Sequence, residues 1–157
     1  MTPETKLQQC LRDVGAAWEN PDEARRLIND VLQAFPDEED AYVAAYRYFF
    51  YRNELPAALA IAEQCLGRIC AELTLPLDWR AIDAGGVDFS DPAQPRYRFL
   101  LFALNAYAYL LARLGRLAEA DLAFAKVHAL DPSDRIGAGR LRGVVQRGPD
   151  DDGADTD

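Results

Sequence analysis

Leu104 to Pro132, LNAYAYLLARLGRLAEADLAFAKVHALDP, constrains the fold of this chain more than any other stretch. An apolar run reaches Leu111, Gly115 follows, and a second run with Ala120, Phe124 and Val127 closes at Asp131-Pro132. Two helices of similar length, folded back on each other around a glycine turn, are the simplest reading. Such a hairpin leaves an apolar face uncovered, so it needs helical neighbours.

The rest of the chain supplies them. Leu7, Leu11, Val14 and Trp18 recur at the spacing of one helix face. Asn20-Pro21 breaks that helix and starts another, since proline is well placed in a first turn. The new helix carries Ala24, Leu27, Ile28, Val31, Leu32 and Phe35, and Pro36 ends it. Residues 39–52 place Ala41, Tyr42, Ala45, Tyr46 and Phe49 on one face and Val43, Phe50 and Tyr51 on another. A helix apolar on two faces is packed between neighbours or lines a groove. Asn53 turns the chain, and Ala58, Ile61, Ala62, Cys65 and Ile69 mark a second long helix reaching about Leu73.

Residues 74–96 change character. Pro76, Pro92, Pro95 and Gly85-Gly86 forbid a long helix. Leu75, Leu77, Trp79, Ile82, Val87 and Phe89 are too apolar for a disordered linker, so an ordered insertion folding back onto the helices is expected. After Pro132, Ser133 is the expected N-cap of a closing helix with Ile136, Leu141, Val144 and Val145, which Gly137, Gly139 and Gly143 weaken.

Composition excludes several classes. Half of the 157 residues are apolar, enough for a real core, yet no run of 18 uncharged apolar residues exists to span a membrane. The charged N-terminus lacks a signal-peptide centre, and three cysteines form no disulfide framework, so a cytoplasmic protein is expected. Net charge is -9, of which the final eight residues contribute five aspartates, leaving -4 for the body. Without a basic stripe, binding to a nucleic-acid backbone is not expected. His128 alone cannot build a histidine metal cluster or a Ser-His-Asp unit. Asp78, Asp83, Asp88 and Asp91 lack the alternating spacing of a calcium loop. Cys65 and Cys70 read as buried filler. No cofactor, metal or catalytic residue is expected.

Aligning Ala24, Ala58 and Ala120 reveals an internal period. The first two lie 34 residues apart and the third 62 further on, one period plus an insertion of 28. A 34-residue helix-turn-helix with Ala, a large apolar residue four later and then proline resembles the tetratricopeptide repeat. The third repeat carries the resemblance through Leu104, Tyr107, Ala108, Leu111, Gly115, Ala120, Phe124, Leu130 and Pro132. Repeat one matches in Ala24, Ile28, Val31, Leu32 and Pro36, but holds Gln8 and Arg12 at core positions, as a terminal repeat would. Repeat two keeps Tyr42, Ala58 and Leu66, with Asn53 for the turn glycine and Cys70 for the closing proline.

The resemblance implies a short right-handed superhelix of three helix-turn-helix units within one domain, 1–147. The repeats would occupy about 5–38, 39–72 and 101–134, with a loop-rich insertion at 73–100 and a capping helix at 135–147. An acidic tail, 148–157, would follow. The first helices of such repeats line a groove that takes a partner's peptide or helix. Carried over by position, the groove holds Gln9 and Asp13, then Val43, Arg47, Phe50 and Tyr51, then Phe102, Asn105, Tyr109 and Arg113. Trp79, Arg80 and Phe89 would add a docking surface on the insertion. Aromatics with arginine are the types enriched at interface hot spots. Chaperone adaptors that grip a C-terminal carboxylate use Lys and Asn where this chain has Gln9, Asp13, Ala44, Phe102 and Ala106, so that clamp is missing.

The expectation is a non-enzymatic adaptor or chaperone-like accessory factor that binds another protein. Two narrower resemblances are to accessory factors of nitrogen fixation, docking on nitrogenase or its assembly proteins, and to type III secretion chaperones, which lack the insertion. A homodimer that pairs exposed helix faces is the rival from another class.

Overall fold

In a computed structural model, residues 2–147 are described; the acidic tail expected at 148–157 lies outside the described residues. Every regular element among them is helical. Seven α-helices follow in order: α1 Pro3–Ala16, α2 Pro21–Ala34, α3 Glu39–Tyr51, α4 Leu55–Glu72, α5 Pro95–Arg113, α6 Leu117–Leu130 and α7 Ala138–Arg147. Residues group into two compact units, one up to Ile61 and one from Ala62 onward.

In the first unit α1, α2 and α3 pack on one another. Leu7, Val14, Ala24, Ile28, Val31, Ala45 and Phe49 are buried on the helix faces that periodicity selects. Asn20 caps α2, its side chain accepting from Glu23 N, and the Tyr42 hydroxyl donates to the Pro36 carbonyl at 3.0 Å. One expectation fails here. Trp18 was read as the end of the α1 core face, but α1 stops at Ala16 and Trp18 is 42% exposed. It lies edge-on to Tyr48 at 5.3 Å, and the Arg52 guanidinium sits over it and donates to its carbonyl.

In the second unit α5 and α6 form the hairpin that Gly115 turns. Leu100, Leu101, Leu104, Ala108, Leu110, Leu111, Ala123 and Val127 are wholly buried. Gly115 has φ 80, with Gly115 N bonded to Ala112 O and Arg116 N to Leu111 O. Asn53, 62 residues earlier, repeats this geometry between α3 and α4: φ 59, with Asn53 N on Phe50 O and Glu54 N on Phe49 O. Asparagine substitutes for glycine because it tolerates the left-handed region better than most residues.

Proline spacing sets the other helix ends. Phe35 and Asp131 each precede a proline, which disfavours helical backbone in the residue before it. Both adopt ψ near 60 (60 and 67), and each donates one last helical bond, Phe35 N to Val31 O and Asp131 N to Val127 O. Cys70 stands where the third such proline would be, so α4 runs on to Glu72 and ends instead at Thr74 in the left-handed region.

Two boundaries differ from the sequence reading. The insertion spans 73–94, because residues 95–100 belong to α5, which Pro95 starts six residues earlier than the repeat pattern implied. The closing helix begins at Ala138 and not at 135, and Ser133 is not its cap. Asp134 does that work, its carboxylate accepting from Gly139 N at 2.8 Å. Before it, Asp131 is 1% exposed and its carboxylate accepts from Arg135 N and Ile136 N at 3.0 and 3.1 Å. Asp131→Ala strands two part-buried backbone donors, and should lower unfolding free energy by about 1–3 kcal/mol in urea denaturation. An unchanged midpoint would show that water replaces the carboxylate.

Candidate functional site

The insertion is an ordered part of the second unit. Asp78 caps a single 3-10 turn, Trp79–Ala81, which packs against α6. Trp79 meets Tyr107 of α5 edge-on at 6.2 Å, and Arg80 lies over the Trp79 ring at 4.5 Å. Ile82 is buried, and its carbonyl accepts from the Lys126 ammonium at 2.7 Å. Phe89 is 1% exposed and edge-on to Tyr97 at 4.9 Å. Asp88 accepts from both the Ser90 hydroxyl and amide and pairs with Arg135 at 3.4 Å.

Trp79 and Phe89, expected on a docking face, are therefore core residues, because together with Ile82 they anchor the insertion to α5 and α6. Of the three residues assigned to that face, only Arg80 is exposed. The bonds from Ser90 hold the Asp88 carboxyl below its ordinary value of 3.8. A carboxylate depressed on folding stabilises above its unfolded value and loses that contribution as pH falls through the folded one. The thermal midpoint should thus fall below about pH 4, with a shallower fall in Asp88→Asn; identical acid limbs would remove Asp88 from the linkage.

The helix faces carry the remaining candidates. On α1, Gln9 bonds Asp13 at 2.9 Å and Arg12 bonds Gln9 at 2.8 Å, an exposed polar chain that closes on itself. On α3, Arg47 is exposed, Val43 and Phe50 are half-buried, and Tyr51 is 71% exposed. Phe50 stacks on Tyr46 at 5.7 Å and meets Tyr51 edge-on at 5.7 Å. Tyr46, assigned to the core from its spacing, belongs to this aromatic cluster.

On α5 the four expected residues share one face. Phe102 is 46% exposed, Asn105 and Tyr109 are half-buried, and Arg113 is exposed. Arg113 donates to the Tyr109 hydroxyl at 3.0 Å, with its guanidinium 5.7 Å from the ring centre. Sequence reasoning missed Arg98, whose guanidinium lies over Phe102 at 5.6 Å. It had been assigned to the insertion, but once α5 starts at Pro95, positions 98, 102, 105, 109 and 113 run at spacings of four, three, four and four. That spacing puts all five on one stripe.

These faces combine large rings with arginines. Among the described residues no group of His, Cys, Asp and Glu could hold a metal ion, and no helix is long and apolar enough to cross a membrane. Burial raises the Cys70 thiol pKa, which keeps it in the unreactive thiol form.

No family model matches the chain, and no solved structure matches it. A protein of Azotobacter chroococcum mcd 1, described as an uncharacterized 19.8 kDa protein in the nifW 5′ region, is 36% identical to it over 111 residues. The match covers 70% of this chain and 62% of that protein, so the chain spans less than two thirds of the relative's length.

Proposed function

We propose that this protein is a non-enzymatic accessory factor that docks on another protein through the aromatic-arginine faces of α3 and α5, on a body of three tetratricopeptide-like repeats. The observation that carries the reading is the set of large rings held at the surface beside arginines. Tyr51 is 71% and Phe102 46% exposed, and Arg98 and Arg113 stack on rings of the same helix. Rings give contact area at small entropic cost, and arginines orient what covers them. The matched helix ends at Asn53 and Gly115, and at Phe35 and Asp131, support the repeat architecture.

The relative from the nifW 5′ region favours one arm of the sequence-based expectation, an accessory factor of nitrogen fixation that docks on nitrogenase or one of its assembly proteins. The test is affinity capture by tagged protein from a lysate of nitrogen-fixing cells, with mass spectrometry. Recovery of a nitrogenase component, or of a protein that assembles it, supports this arm; its absence from a capture that holds other specific partners removes it.

A second reading, self-association, draws on α6. Leu117 and Leu122 are 59% and 57% exposed there, and Ala118, Ala125 and Ala129 of the same helix are exposed as well. Light scattering across concentration separates the two, since a stable dimer at low micromolar favours self-association and a monomer favours the adaptor.

A further inference from the structure

The chain as a whole is acidic, but α5 is not. From Pro92 to Ala118 no Asp or Glu occurs, while four arginines do. Two of them are neutralised nearby: Arg96 pairs with Glu72, and Arg116 with Glu119. Arg98 and Arg113 pair with no carboxylate among the described residues. Each is instead held by a ring on its own helix, Arg98 over Phe102 and Arg113 against Tyr109. The Arg98 Nε and the Asn105 Oδ1 have no hydrogen-bond partner. One face of one helix therefore presents two pre-positioned guanidinium groups at its ends with aromatic surface beside each, while the unpartnered Asn105 amide oxygen lies buried beneath the stripe.

We propose that this stripe binds an acidic segment of the partner protein, lying extended along α5 with a carboxylate at Arg98, another at Arg113, and an apolar side chain between Phe102 and Tyr109. The inference rests on the docking role given above and names the chemistry that the face selects. Guanidinium groups positioned by stacking and lacking anions are matched best by carboxylates, which accept two parallel bonds from each fork. An extended segment suits the stripe because alternate side chains turn to one side, so two carboxylates and an apolar group between them can all face α5. The span also sets a spacing. At about 1.5 Å per residue, Arg98 and Arg113 lie about 22 Å apart along the helix axis. An extended segment covers that in about seven residues. The two acidic clusters of the ligand should be separated by that much.

Fluorescence anisotropy on the full chain tests this, with a labelled peptide of about nine residues carrying two glutamates at each end and Leu-Phe at its centre. The expected result is saturable binding that is at least about tenfold weaker when the glutamates are glutamine, and that weakens steeply with added salt. Arg98→Gln and Arg113→Gln should each weaken it about tenfold with an unchanged melting curve. Equal binding of both peptides, no binding, or indifference to both substitutions overturns the inference. Binding that appears only when Asp150, Asp151, Asp152, Asp155 and Asp157 are all changed to asparagine also overturns it, because the chain's own tail is then the occupant. If the acidic peptide fails while capture from lysate persists and depends on Phe102, the acidic ligand falls and the docking role stands. If capture fails as well, both fall.

Discussion

Replacing Phe89 by alanine is expected to lower the unfolding free energy by about 3–5 kcal/mol, the range for deleting a fully buried phenylalanine side chain. Only 1% of Phe89 is exposed, and its ring meets Tyr97 edge-on in the first turn of α5. The insertion has few other anchors: Trp79 against Tyr107, Ile82, and the Lys126 ammonium on the Ile82 carbonyl. Because these attach to α5 and α6 themselves, loosening the insertion should uncover the hairpin and not merely free a loop. Urea denaturation followed by circular dichroism measures the loss. A cost below about 1 kcal/mol, the range of a surface site, would mean that the insertion is a detachable flap, and would return Trp79 and Phe89 to the list of docking residues.

The second large effect is on binding. Tyr51→Ala combined with Phe102→Ala should abolish partner capture while moving the melting temperature by no more than a few degrees, since surface truncations usually stay within about 0.5 kcal/mol each. Loss of a hot-spot ring costs about 2 kcal/mol or more of binding free energy, a factor near 30 for each. Tyr51 and Phe102 are the better pair for this test than Phe50 and Tyr109. Phe50 and Tyr109 are half-buried, so truncating either disturbs its own helix more than truncating the exposed Tyr51 or Phe102 does. Retained capture by a folded double variant would remove these faces from the binding role.

Much of the local structure was legible because it depends on residues close in sequence. Helix faces on α2, α5 and α6 follow from apolar spacing, and Gly115, Asn53 and the residues before Pro36 and Pro132 act within a single turn. The long helix expected to reach about Leu73, with Cys70 in place of the closing proline, runs to Glu72. Errors arose where a residue's partner lies far along the chain. Trp18 has the spacing of an α1 core residue, yet Arg52 and Tyr48 hold it outside the helix. Ser133 has the chemistry of a cap, but Asp131 and Asp134 take the backbone donors first. Arg98 was hidden by a boundary, since the repeat period assigns residues 73–100 to the insertion whereas α5 begins at Pro95.

Taken alone, the sequence determined that the described residues fold as helices, where their turns fall, and that the stretch forming α5 carries arginines without acids inside an acidic protein. Those properties depend on backbone preference and composition, which act over one or two turns of helix. Only the tertiary structure decided which aromatic residues are core and which are surface. Trp79, Phe89, Tyr51 and Phe102 are alike in composition and in their fit to an interface. The first two are buried because the insertion folds across α5 and α6, and the last two are left outside because no described residue covers them fully. Burial of a ring is set by what packs against it from elsewhere in the chain, and no period in the sequence records that.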